Sequence, residues 1–224
     1  SDMKAELITN VSHDLKTPLT AIITYVDLLK DENITLEQRK EYLATLESKS
    51  IRLKVLIEDL FEVSKAATGN LILSPTQVDI CSLLKQVVLE FADKLESARL
   101  DVRMNLPDTK IITWLDSQRT YRIYENLINN IIKYSMPGTR VFIHVINQGA
   151  NVLIELKNIS ATELLVQPKD LTERFVRGDS SRNTEGSGLG LAIAKSLTEL
   201  QKGHMHIEID GDLFKAVTVF PIQQ

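Results

Sequence analysis

Three stretches of this 224-residue chain carry side chains able to do chemistry. The first is Asn10-Val11-Ser12-His13-Asp14-Leu15-Lys16-Thr17-Pro18-Leu19-Thr20, built around His13. An imidazole titrates near neutral pH and can act as a nucleophile or a proton carrier. Asp14 beside it can orient the ring or take its proton as a general base, and Thr17 falls one helical turn on, nearly above it. The second stretch is Asn126-Leu127-Ile128-Asn129-Asn130-Ile131-Ile132-Lys133-Tyr134. On a helix Asn126, Asn130 and Lys133 fall within about 60° of one another, opposite Ile123, Leu127, Ile128, Ile131 and Ile132. Asparagine carbonyl oxygens suit a hard cation such as Mg²⁺, and a lysine one turn away suits phosphate. The third is Gly186-Ser187-Gly188-Leu189-Gly190-Leu191-Ala192, leading into a helical pattern. Its glycines permit close backbone approach, and a helix N-terminus favours anions. Arg174, Arg177 and Arg182 lie just upstream and add cationic reach towards a phosphate chain. Taken singly, these features also have ordinary readings: an idle surface histidine, a solvated polar helix face, a glycine-rich loop.

The elements that must position these residues follow from hydrophobic period. Leu15, Leu19, Ile22, Val26 and Leu29 form one helical stripe over residues 3–30, and His13 points roughly 160° away from it, towards solvent. Pro18 lies inside that pattern, removes a backbone donor and opposes the carbonyl of Asp14, which predicts a bend beside the histidine. After a turn at Asp31 to Thr35, a second helix with Leu43, Leu46, Leu53, Ile57 and Leu60 runs to about Ala67 and stops at Gly69-Asn70. Two such helices bury one seam and make a poor core alone, so two copies packed as a four-helix bundle are expected, with packing on the C-terminal region as the alternative.

Beyond the hairpin, residues 69–77 read as a linker with a short strand at Leu71-Ile72-Leu73. Asp79 caps a helix to about Ser97, strands follow over 100–105 and 110–114, and a strong helix spans 117–135 before Pro137-Gly138. Strands at 140–147 and 151–158 form a hairpin, residues 160–186 read as an irregular lid, a helix covers 187–201, and two strands, 204–209 and 214–220, close the chain. The fold class is α+β: an N-terminal antiparallel helical hairpin at 1–68, the linker, and an α/β sandwich domain at 78–224 with helices on one sheet face.

Composition narrows the function classes. A net charge of −4 offers no basic field for nucleic acid. The single cysteine, Cys81, rules out a disulfide within the chain and reads as buried filler. No run of apolar residues is long enough to span a membrane, and no signal peptide is evident. The chain enters a helical pattern at once after Ser1-Asp2-Met3, as expected of a piece of a longer protein.

In their order these motifs resemble the cytoplasmic catalytic core of the bacterial sensor histidine kinases, from Ala5 to about Pro221. Ser12 to Leu19 is similar to the phosphoacceptor box, Asn126 to Tyr134 to the asparagine box, Leu171 to Gly178 to the phenylalanine box of the lid, and Gly186 to Leu191 to the second glycine box. The resemblance implies that ATP with Mg²⁺ phosphorylates His13 and that the phosphoryl group passes to an aspartate of a response regulator. It further implies a homodimer and a full-length protein anchored in a membrane upstream, with this part in the cytoplasm. In that scheme Asp14 is the general base or orienting residue, and Thr17 places water for dephosphorylating the regulator. Asn126 and Asn130 hold Mg²⁺, while Lys133, Tyr134, Arg174, Arg177, Gly186, Gly188, Leu189 and Gly190 bind the nucleotide. One motif departs: where the first glycine box carries its adenine-binding aspartate, this chain has Asn158, and no glycine follows. Ile131 likewise stands where an alanine is usual. A low-affinity nucleotide binder acting mainly as a phosphatase or scaffold is therefore the alternative. A chaperone- or repair-type ATPase shares the nucleotide fold but has no use for the histidine hairpin.

Overall fold

A computed structural model describes residues 2–165, 167–173 and 188–222. The chain divides into two compact units, with the division along the helical segment between Glu62 and Val63. The helical unit is made by α1 (Asp2–Leu29) and most of α2 (Leu36–Ala67). A reciprocal cap starts α2: the Gln38 amide N–H donates to Thr35 Oγ1 at 3.1 Å, and the Thr35 N–H donates to Gln38 Oε1 at 2.9 Å. At its other end Gly69 takes φ +71°, which turns the chain out of the helix at little steric cost. Helix α1 runs unbroken through Pro18, so the proline removes one hydrogen bond without ending the element. The rings of Tyr25 and Tyr42 meet edge-on, centroids 5.8 Å apart. The apolar stripes are only partly covered: Leu15, Ile22, Leu29, Leu46, Leu53 and Leu60 are half-buried, whereas Leu19, Val26, Leu43 and Ile57 are exposed.

The second unit is built on a five-stranded sheet in the order β2 (Asp101–Asn105), β4 (Arg140–Asn147), β5 (Asn151–Ile159), β7 (Leu213–Pro221) and β6 (His204–Asp210). Strands β2 and β4 pair in parallel and the others antiparallel, as the hairpin signals require. Along β5 every second residue from Val152 to Asn158 is buried, so one sheet face carries the core. Helix α5 (Ser117–Tyr134) buries Ile123, Tyr124, Leu127, Ile128 and Ile131, each aliphatic side chain contributing about 2 kcal/mol. The Tyr124 hydroxyl meets Thr218 Oγ1 of β7 at 2.8 Å, and burial pushes its phenol well above the ordinary tyrosine value. Helix α7 (Gly190–Leu200) packs beside α5 with Ile193, Ala194 and Leu197 fully buried.

Four sequence expectations change. No strand forms at Leu71-Ile72-Leu73; Pro75 has no N–H and the Ser74 N–H is taken by a side chain, so pairing begins only at β1 (Thr76–Asp79), antiparallel to β3 (Ile112–Leu115). Asp79 does cap a helix, accepting from the Cys81 and Ser82 amides. That helix nevertheless breaks at Phe91 (φ −93°, ψ 5°) into α3 (Ile80–Glu90) and α4 (Ala92–Ser97). The lid region contains a short helix α6 (Pro168–Glu173). The last helix starts at Gly190 rather than Ser187, because Gly188 has φ +76°, outside the helical region.

Asp116 ties three segments together at the start of α5. Its Oδ1 accepts from the Arg119 amide at 3.0 Å, its Oδ2 from the Ser74 amide at 2.8 Å, and its own N–H donates to Gln201 Oε1 at 2.8 Å. Gln201 Nε2 in turn donates to Thr120 Oγ1 at 3.2 Å. Asp116→Ala leaves two part-buried amides, those of Ser74 and Arg119, without their acceptor and is expected to lower unfolding stability by about 1 kcal/mol in urea titration, with faster amide exchange at Ser74. Unchanged exchange at Ser74 would count against the contact.

Candidate functional site

On α1 the His13 side chain is 79% exposed, and its Nδ1 lies 4.0 Å from Asp14 Oδ1. That distance is too long for a hydrogen bond. Thr17 is exposed one turn on, its hydroxyl reaching back to the His13 carbonyl oxygen at 3.4 Å, a weak bond. The three residues therefore share one solvent-facing patch, with Nε2 at the end of the ring away from Asp14.

In the second unit the expected asparagine face on α5 is only partly solvated. Asn126 is buried, Asn130, Lys133 and Tyr134 are half-buried, and the Lys133 ammonium lies 5.2 Å from the Tyr134 ring centroid. Asn126 Nδ2 donates to the Arg122 carbonyl at 2.9 Å, which fixes the carboxamide and turns Oδ1 towards Gly190. A Cβ built on Gly190 would stand 3.1 Å from that oxygen, so any larger residue would oblige the carboxamide to give by a few tenths of an ångström. An oriented, neutral oxygen beside a backbone cradle fits a hard cation whose remaining ligands are phosphate oxygens. Among the described residues no cluster of histidine, cysteine and carboxylate side chains offers a competing metal site. Gly188 and the fully buried Leu189 lead into the cradle. Arg174, Arg177 and Gly186 lie outside the described residues.

Asn158 stands at the end of β5, 3% exposed. Its Nδ2 donates to the Ser135 hydroxyl at 2.9 Å, while its Oδ1 is a buried polar atom with no partner among the described residues. Backbone bonds hold this corner: Met136 N–H to the Ile159 carbonyl at 2.8 Å and Ala161 N–H to the Tyr134 carbonyl at 2.9 Å. Ser135 was not among the expected site residues. In sequence it is only the residue where α5 stops before Met136-Pro137-Gly138; its role depends on β5 running past it.

Two family models match: the His Kinase A phospho-acceptor domain over residues 3–69, and the ATPase family of histidine kinases, DNA gyrase B and HSP90 over residues 115–221. The chain belongs to the sensor histidine kinases. Among relatives, sensor protein VanSC of Enterococcus gallinarum is 34% identical over 208 residues, covering 92% of this chain and 57% of that protein. Sensor histidine kinase YcbM of Bacillus subtilis (strain 168) is 31% identical over 209 residues, covering 90% of this chain and 66% of its own length. The chain thus spans less than two thirds of these relatives. Histidine kinase ThkA, solved in complex with response regulator protein TrrA, shares the fold with a TM-score of 0.73, at 18% identity over 96% of this chain and 61% of that one. In this histidine kinase chain the stretch around His13 lies on one continuous helix, and the stretches around Asn126 and Gly190 meet where a Cβ built on Gly190 would stand 3.1 Å from Asn126 Oδ1.

Gly190→Ala is expected to displace the Asn126 carboxamide by a few tenths of an ångström and to move its side-chain amide NMR signals, with stability lowered by no more than about 1 kcal/mol. Signals left in place would show that the cradle has slack.

Proposed function

We propose that this kinase core phosphorylates His13 with ATP and Mg²⁺ and passes the phosphoryl group to an aspartate of a response regulator. The observation that carries the reading is the presence, in one chain, of an exposed imidazole with an adjacent carboxylate and of a buried, pre-oriented asparagine facing a glycine-rich helix start. Nε2 of His13 attacks the γ-phosphorus, the bond to the β,γ-bridging oxygen breaks, and ADP leaves with the electron pair. Asp14 takes the proton from Nδ1, leaving a neutral phosphohistidine. Asn126 and Asn130 would hold Mg²⁺, which supplies charge neutralisation on the phosphates when bound. Lys133, with Arg174 and Arg177 of the lid, meets the remaining phosphate charge. Asn158 Oδ1, lacking a partner among the described residues, accepts from the 6-amino group of adenine.

The reading extends to assembly and regulation. Exposed Leu19, Val26, Leu43 and Ile57 along the hairpin support a homodimer in which a second copy covers the stripe as a four-helix bundle. A response regulator as partner is supported by the likeness to ThkA, whose structure contains TrrA. Thr17, on the histidine face, is assigned to placing water for hydrolysis of the regulator's aspartyl phosphate. In the described residues no helix is long and apolar enough to cross a membrane, so anchoring would come from chain outside them.

Incubation with γ-labelled ATP and Mg²⁺ is expected to yield an acid-labile phosphate on wild type and none on His13→Ala, with nucleotide affinity unchanged in that variant. Asp14→Asn should slow labelling by about 100-fold at constant nucleotide affinity. Normal nucleotide binding with no label on wild type would overturn the kinase reading and favour a phosphatase or scaffold.

A further inference from the structure

The corner formed by Asn158 and Ser135 differs chemically from a carboxylate in one respect that bears on substrate choice. A carboxylate can only accept hydrogen bonds, whereas a carboxamide has one accepting and one donating end of nearly the same shape. Asn158 uses one end on Ser135 Oγ at 2.9 Å and leaves the other buried without a partner among the described residues. A buried orphan of this kind is costly unless a ligand takes it up. The partner that sets its orientation is a hydroxyl, which donates as readily as it accepts. With Nδ2 towards Ser135, the hydroxyl accepts and Oδ1 is left to accept from a ligand. With the carboxamide rotated by half a turn, the hydroxyl donates to Oδ1 and Nδ2 is left to donate. A backbone carbonyl or N–H in the place of Ser135 would have locked one of the two. Both residues stay in position throughout, because the backbone bonds from Met136 to Ile159 and from Ala161 to Tyr134 pin the end of α5 to the end of β5.

We propose that Asn158 and Ser135 make this site tolerant of the base: it takes 6-oxo purine nucleotides, the inosine and guanosine triphosphates, as well as ATP. The proposal rests on the reading that the site binds a purine nucleotide at Asn158. Adenine presents a donor at its six-position, which Oδ1 accepts; a 6-oxo purine presents an acceptor there, to which Nδ2 donates. An aspartate in the same place would pair with the first and repel the second.

The test compares ATP with inosine triphosphate, which differs from it only at the six-position and in the proton this places on N1, by calorimetry with Mg²⁺ on the full 224-residue chain. Expected are dissociation constants within about tenfold of each other for wild type, and an inosine triphosphate affinity about 100-fold below that of ATP for Asn158→Asp. Wild-type discrimination of about 100-fold or more in favour of ATP would overturn the base tolerance while leaving the nucleotide reading intact. An Asn158→Asp variant that binds both with the wild-type ratio would overturn the assignment of that tolerance to Asn158. Binding of neither nucleotide at millimolar concentration would overturn both readings together. Should Asn158→Asp not fold, the wild-type ratio alone decides.

Discussion

A buried carboxamide can serve a ligand only if something else decides which way it points. Asn126 has its nitrogen committed to the Arg122 carbonyl one turn back on the same helix, so its oxygen direction is set before any ligand arrives. The oxygen then has to be reached, and that requires the start of α7 to come within contact distance of α5. Gly190 allows this because a Cβ at that position would press on Oδ1. The rest of the second unit holds these two helices in register. Their apolar faces share one sheet face, Tyr124 ties α5 to β7 through Thr218, and Gln201 at the end of α7 is bonded to Asp116 and Thr120 at the start of α5.

The same helix is fixed at its far end by a different device. Ser135 stops α5 and accepts from Asn158, while the neighbouring backbone pairs with the end of β5. Asn126 and the Ser135–Asn158 contact thus both depend on the second half and the end of this one helix of 18 residues. At this corner Asn158 is a neutral amide with one end on Ser135 and the other buried without a partner among the described residues, a cost to the fold that a charged carboxylate left unpaired there would exceed.

The helical unit follows the opposite logic. Its histidine is presented rather than enclosed, because the helix places His13 off the apolar stripe with Asp14 beside it. The stripe itself is left partly bare, since two helices have only one mutual seam. Pro18 sits little more than one turn beyond His13 in a helix that continues through it, so the carbonyl of Asp14, next to His13, is relieved of its usual partner.

Local signals were enough for most elements. The 3.6-residue period gave α1, α2 and α5; Asp79, Gly69 and Gly149 marked a cap, a stop and a hairpin; alternation gave the strand that ends at Asn158. The likeness of four short motifs to the histidine kinases was legible in the same way, because each motif is contiguous in the chain. What the sequence could not decide was every contact between residues far apart. It placed a strand at Leu71-Ile72-Leu73, where the segment is in fact diverted by the bond from Ser74 to Asp116, 42 positions away. It ran α3 through Phe91, since the break there leaves no apolar-period signature. It showed Asn126 and Gly190 as separate motifs and marked Ser135 only as a helix end. Period and capping are determined by neighbours within a turn or two, so the sequence determines them by itself. The direction of the Asn126 oxygen and the orphaned end of Asn158 depend on which strands and helices lie side by side, and only tertiary packing decides that.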